Sequence, residues 1–486
     1  MNHFDFDDDL PTDDLTNSEK FREQMRNFLS DLANQNVSTV PSSEQLERFV
    51  ADCFVQQSFT DALKIAKYWV GIAPFNVDAW HKLSLVQSSL GNHRDALLSI
   101  EKALSLSPND IDVSINKAVI HDKCGNITIA IDTLVEVLDR YPTNEDALMT
   151  MALIFTRNKR FTEAISILEK LTTSVSYRRD AHYELGYCYD SIREFKKALF
   201  SYQFCLDLDP FDYNVWYNIG VVYLHKQQYY RSIEAFENSL SLDPSLTSAY
   251  VNLGNSYSQL GRLCKAVEYY KQAITLDATD FSLYHNLAST LETRGDFLEA
   301  IDWYSKAIEQ NPKHHESYFG RATCYDALEQ FEKALSDYEI SILLFPKCSE
   351  YWYAKASVHY NLKNLSKSLE SYKNALRYNA NDSECWLDYA IACYETDDFV
   401  STKLALHHVI AIDPSNVDAY YLLGKVLTIL SEYEDAVQSL FCSFQLDKSK
   451  ETLFSNEFKE LLFGIDATQF IIELRKLDEE LVLLLQ

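Results

Sequence analysis

The chain has 486 residues, a net charge of −28 and apolar side chains at 47% of its positions. That balance belongs to a chain that folds and excludes an intrinsically disordered one. With no continuous basic stripe it argues against nucleic acid as partner, and with no apolar run near the roughly 18 residues of a membrane span it argues against membrane insertion. Only 11 glycines occur and no Gly-x-Gly, so glycine-dependent phosphate loops are excluded too.

Residues 1–15 hold Asp5, Asp7, Asp8, Asp9, Asp13 and Asp14 with Pro11 and no Lys or Arg, which predicts an acidic disordered tail. A secretory leader would be basic and then apolar, so the chain reads as cytoplasmic. The ten cysteines, with no C-x-x-C pair, fit that compartment as buried reduced thiols. An N-terminal helix and linker follow over 16–42. The helix opens on the capping box Thr16-Asn17-Ser18-Glu19 and lays Phe21, Met25, Phe28, Leu29 and Leu32 along one face, which needs cover from the segment after it.

From Ser43 to Lys450 one frame of 34 residues repeats twelve times without a gap, starting at residues 43, 77, 111, 145, 179, 213, 247, 281, 315, 349, 383 and 417. Position 20 is never larger than Thr: Ala62, Ala96, Ala130, Ala164, Ala198, Ser232, Ala266, Ala300, Ala334, Ser368, Thr402 and Ala436. Position 8 is Gly, Ala or Ser everywhere except Val50. Small residues at both places let two helices approach, and one added methylene would overpack the contact by about 1–3 kcal/mol. Position 4 is aromatic in eight repeats, from Trp80 to Tyr420, and position 32 is Pro in eight, which stops the second helix. In the central stretch YNVWYNIGVVYLHKQQYYRSIEAFENSLSLDPSL, the series Trp216, Ile219-Gly220, Tyr223 and Phe236 shows the whole grammar.

This grammar resembles the tetratricopeptide repeat (TPR) family. The resemblance implies an all-α fold, a right-handed α-solenoid (superhelix) of stacked helix-turn-helix units that binds proteins or peptides. Repeats 1 to 3 are divergent and repeats 5 to 9 the most regular. Repeat 4 departs most, with Leu148 at position 4 and Ser176 in place of Pro, so the segment TTSVSYRR predicts a looser junction. Residues 451–486 read as C-terminal capping helices broken at Gly464, the second carrying Phe470, Ile471, Leu474, Leu477 and Leu481. The alternative use of the apolar end Leu481 to Leu485 is docking on a second copy, a homodimer through terminal helices.

In the first helix of each repeat, positions 4, 7, 8 and 11 form the stripe expected to be buried. Positions 2, 5, 6, 9, 12 and 13 lie about 200° away; the resemblance places that stripe on the concave groove where TPR partners bind. Position 6 is Asn218, Asn252 and Asn286 in three successive repeats, with Asn255 at position 9. Amides one repeat apart can bond an extended peptide's backbone at regular intervals, and the run resembles the asparagine ladder in the TPR superhelix of O-GlcNAc transferase. Position 5 carries Tyr183, Tyr217, His285, Phe319 and Tyr353, rings that either offer contact area to a partner or pack on the neighbouring repeat. Position 2 is acidic in nine repeats, which suits the first turn of a helix and favours basic or neutral partners over acidic ones.

In an acidic chain, Arg157, Lys159, Arg160, Arg178, Arg179, Arg193, Lys196 and Lys197 stand out as a basic cluster, either solvated or covered by the acidic tail. The carboxylate clamp of chaperone-docking TPRs is incomplete: Asn255 and Asn286 match it, while Val251, Glu316 and Gly320 do not. No nucleophile motif, zinc spacing or cofactor loop appears. The expectation is a non-catalytic interaction scaffold without cofactor or metal. A self-associating assembly protein, or a targeting subunit for a separate enzyme, is the alternative.

Overall fold

A computed structural model of the chain describes residues 15–34, 40–450, 453–454, 457–458 and 468–477. Among them every regular element is an α-helix. Leu15–Ala33 comes first, then twelve helix pairs, from Ser43–Val55 with Phe59–Ile72 to Val417–Ile429 with Tyr433–Leu446, and last Thr468–Leu477. The first and second helix of each pair are called A and B. The chain divides into two compact bodies, Met1–Gln228 and Tyr229–Gln486, parted between the two helices of repeat 6. Within each body, from repeat 1 onward, helices pack on their successors in chain order, which makes the fold an all-α helical repeat solenoid.

Each repeat is punctuated by the same local chemistry. Position 34 caps the next helix A: the side chains of Asn76, Asp110, Asn144, Asp280, Asp382 and Asn416 accept from backbone N–H groups in its first turn. Position 15 ends helix A in the left-handed region in all twelve repeats. Four of these residues are Gly91, Gly125, Gly261 and Gly295; the other eight, including Lys159, Arg193 and Lys363, hold φ near +60° despite a side chain. The next N–H then reaches back to position 11, as in Ser58 N to Cys53 O and Asp398 N to Cys393 O, satisfying a carbonyl the helix leaves open.

Packing explains the small positions. All twelve side chains at position 20 are fully buried. At position 8, a Cβ on Gly186 would lie 2.5 Å from the ring of Tyr202, and one on Gly254 would lie 2.6 Å from Tyr270, both at position 24. The missing methyl is where the ring sits. Position 4 joins successive repeats: the indole N–H groups of Trp80, Trp216 and Trp352 donate to the carbonyls of Pro74, Pro210 and Pro346 at 2.9, 3.0 and 2.9 Å. A carbonyl left without a partner at the end of helix B thereby gains one.

Both ends of the array are covered by apolar side chains. In the N-terminal body, Met25 and Phe28 are buried on repeat 1, with Phe28 against Phe49 and Tyr68 at 5.8 and 5.3 Å. In the C-terminal body, Phe454, Phe458, Phe470 and Leu474 are buried on repeat 12, where Phe458 meets Tyr421 and Phe470 meets Tyr433. The acidic tail to Asp14 and the segment Leu481 to Leu485 lie outside the described residues.

Three expectations need correction. Positions 3 and 10 of helix A are buried, as at Val113, Ile120, Val215 and Val222, whereas the tryptophans at position 4 are only half-buried, because helix A packs between neighbours on two sides. The junction over 172–177 is tied rather than loose. Ser174 is buried, donates to Glu145 at 2.7 Å and accepts from the Tyr177 N–H, while the Tyr177 hydroxyl donates to Asp146. The basic residues are not one cluster: Arg178 and Arg179 start helix A of repeat 5, Arg178–Ser191, and Arg193, Lys196 and Lys197 follow its far end. Fourteen residues of helix hold these groups about 20 Å apart.

Candidate interaction face

The face carried by positions 5, 6, 9, 12 and 13 of helix A is built by a recurring join. A side chain at position 5 or 12 meets position 6 or 13 of the next repeat, 35 residues on. In the N-terminal body His81 Nε2 lies 2.7 Å from Asn116 Nδ2, and Asn218 donates to the Tyr183 hydroxyl at 2.9 Å. On the lower row Asp122 pairs with Arg157 at 3.1 Å and Asp190 with His225 at 3.0 Å. In the C-terminal body the Tyr353 hydroxyl donates to Asp388 at 2.8 Å, and the Tyr360 hydroxyl to Glu395.

Of the sequence-predicted residues, Tyr183 and Asn218 are therefore brought together, and Tyr217 is half-buried on the same helix as Asn218. In the C-terminal body Asn255 Nδ2 lies 3.4 Å from Asn252 Oδ1 and its own Oδ1 accepts from the Tyr270 hydroxyl at 2.6 Å. Among the described residues no hydrogen-bond partner holds the side chain of Asn286, which is half-buried. His285 lies 3.1 Å from the Ser317 hydroxyl and packs edge-on to His314. Burial first, then the neighbouring His314, pushes its pKa down to about 4. Phe319 stacks on Tyr351 at 4.6 Å.

The rings at position 5 also rest on position 24 of their own repeat, as Tyr183 on Tyr202, His285 on Tyr304, Phe319 on Tyr338 and Tyr353 on Tyr372. They are held from behind and from one side. Nothing in the candidate set is fully exposed, so the face presents edges and polar atoms rather than whole side chains.

Sequence reasoning missed His81, Asn116, Glu184 and Asp388. The signal was available as complementary donors and acceptors 35 residues apart. Glu184, at position 6 of repeat 5, has its carboxyl pushed up to about 6 by burial and then by Asp180. Asp388 is likewise pushed up by burial, against the bond from Tyr353. Among the described residues no group of His, Cys, Asp and Glu could hold a metal ion. All ten cysteines are free, and burial pushes thiols such as Cys205 and Cys385 up to about 12.

The repeat geometry agrees with comparison to known proteins. Tetratricopeptide repeat profiles match residues 77–110, 180–212, 212–278, 251–315, 303–336, 349–382 and 408–438, together more than half of the chain. The chain belongs to the tetratricopeptide repeat family. No curated protein matches it. Among solved structures, MamA is 24% identical over 33% of this chain and 95% of its own, with a TM-score of 0.32. YrrB, described as a TPR protein with an unusual peptide-binding site, is 21% identical over 37% of this chain and 94% of its own, with a TM-score of 0.35. The APC/C hetero-tetramer Cut9–Hcn1 is 14% identical over 87% of this chain and 96% of its own, with a TM-score of 0.39. Among the described residues no helix of this TPR protein is long and apolar enough to cross a membrane.

Proposed function

We propose that this TPR protein is a non-catalytic interaction scaffold of the cytoplasm that takes an extended peptide or a partner protein on its helix-A face. One observation carries the reading. The face is an array of half-buried amides, hydroxyls, carboxylates and ring edges at a fixed interval, with groups such as Tyr183 and Tyr353 braced by their own repeat and the next. Side chains held in one conformation before binding lose little entropy when a partner arrives. The free cysteines, several of them buried, suit a reducing compartment.

The test is affinity capture from native lysate with the wild-type chain and two variants, Tyr183→Ala/Asn218→Ala and Asn252→Ala/Asn286→Ala. Partners held by the wild type and lost from either variant support the helix-A face of that body. The same partners on all three would sink the reading and move attention to helix B or the chain ends. Recovery of the protein alone would make self-assembly the better account.

A further inference from the structure

Repeats 8 to 11 have no Lys or Arg at positions 2, 5, 6, 9, 12 or 13, although those positions hold seven carboxylates. Where this body buries a carboxylate inside, it supplies the cation. Asp337 is buried and receives two bonds from Arg321, at 2.7 and 2.9 Å. On the helix-A face Glu395 is met by Lys363 at 3.5 Å, but two half-buried carboxylates are treated differently. Among the described residues, Asp388 is half-buried with only the neutral Tyr353 hydroxyl as side-chain partner, and Asp326 is half-buried with no side-chain bond. Burial raises the pKa of both carboxyls. Charges withdrawn from water are ordinarily paired, because an unpaired one forfeits hydration without return.

Aromatic surface accompanies the charge. Position 6, an Asn in repeats 6 to 8, is Gly320 and Ala354 in repeats 9 and 10, so no amide stands beside Phe319 and Tyr353 on their own helices. Gly320 cannot be enlarged freely, since a Cβ there would lie 2.3 Å from the ring of Tyr304. Rings beside carboxylates suit the stem and head of Lys or Arg, which lay methylenes on an aromatic face and carry charge to an acceptor.

We infer that the helix-A face of repeats 9 to 11 binds a peptide segment carrying two or more Lys or Arg side chains. One cation is taken by Asp388 beside Tyr353, and another by Asp326. The assignment rests on the helix-A face being the binding face and adds the chemistry of its partner. It has the opposite charge preference to the carboxylate clamp, whose lysine and arginine are Glu316 and Gly320 in this chain.

The test is selection of peptides from a displayed random 12-residue library on the full-length chain, followed by affinity measurements on the selected peptides. Asp326→Asn/Asp388→Asn removes two charges and leaves an acceptor for the Tyr353 hydroxyl. Glu434→Gln/Asp435→Asn removes two exposed charges from helix B of repeat 12. The expected result is selected peptides rich in Lys or Arg whose affinity falls tenfold or more in the first variant and less than twofold in the second. Equal losses in both variants would mean general charge attraction and would overturn the inference. Peptides that are lost with Asn252→Ala/Asn286→Ala but lack cations, or ignore Asp326→Asn/Asp388→Asn, overturn it while the face reading stands. Peptides indifferent to every helix-A substitution overturn both.

Discussion

The join between Tyr183 and Asn218 in the N-terminal body and the join between Tyr353 and Asp388 in the C-terminal body occupy the same repeat positions, 35 residues apart. In the first, an amide donates to the tyrosine hydroxyl; in the second, the hydroxyl donates to a carboxylate. The geometry is common because, in both pairs, position 5 of one repeat faces position 6 of the next within the same body. The electrostatics differ because position 6 is free to change. The N-terminal body also carries its own cations on this face, with Lys82 paired to Glu47 at 3.3 Å and Arg157 to Asp122 at 3.1 Å, whereas repeats 8 to 11 have no Lys or Arg at these helix-A positions and Glu395 there is met by Lys363 from the turn that follows. One scaffold thus presents two kinds of join, a neutral amide–hydroxyl pair and a hydroxyl–carboxylate pair.

The largest expected effect separates a carboxylate that owns its cation from one that does not. Arg321→Met strands Asp337 in the core and should lower stability by about 3–5 kcal/mol, read from urea unfolding. Arg321→Met/Asp337→Leu should recover most of that loss. Asp388→Asn, on the open face, should cost far less, and an equal cost would erase the distinction.

Acidification tests the imidazoles at position 5 in both bodies. Burial holds His81 and His285 down at about 4, below the ordinary value, so the unfolded chain binds protons more readily than the folded one. Their effect is absent above about pH 6.5, and stability falls as the pH drops from there towards 4, by about 1–2 kcal/mol per histidine near pH 5. His81→Asn and His285→Asn should each flatten the midpoint-against-pH curve. An unchanged slope would show that neither ring is shielded.

The two joins themselves can be weighed by removing one hydroxyl from each. Tyr353→Phe deletes a bond to a charged acceptor and should cost about 1.5–3 kcal/mol, while Tyr183→Phe deletes a neutral bond and should cost about 0.5–1.5 kcal/mol. A reversed order in thermal melts would contradict the charge contrast. The smallest effect concerns a feature that both bodies share. Arg193→Gly and Lys363→Gly relieve left-handed backbone and should each stabilise by up to about 1 kcal/mol, whereas Gly91→Ala should destabilise by a similar amount.

How much of this was readable in advance depends on the range of the interaction. Ala62 to Ala436 at position 20 could be recognised in a row because a tight helix contact allows nothing larger, whatever surrounds it. The left-handed turn at position 15 was legible only where Gly91, Gly125, Gly261 and Gly295 stand. Lys159 or Arg193 gives no such sign, and there the twelvefold fold imposes the conformation. The tryptophans at position 4 looked like core, yet their N–H groups serve the preceding repeat. The eight basic residues of repeats 4 and 5 are neighbours in sequence, but the length of helix A carries them to opposite ends.

The residues of the candidate face could be named from the sequence, but not the bonds they make with one another. Asn218 and Asn252 were read as open rungs for a peptide; Asn218 is bonded to Tyr183 and Asn252 to Asn255. The amino-acid sequence by itself determined the 34-residue period, the helical class and the small residues at positions 8 and 20, because those follow from contacts inside one repeat that recur twelve times. Only the tertiary structure decided which polar atoms on helix A are used between repeats and which carboxylates are left without a cation. Those depend on pairs 35 residues apart, brought together by stacking one repeat on the next.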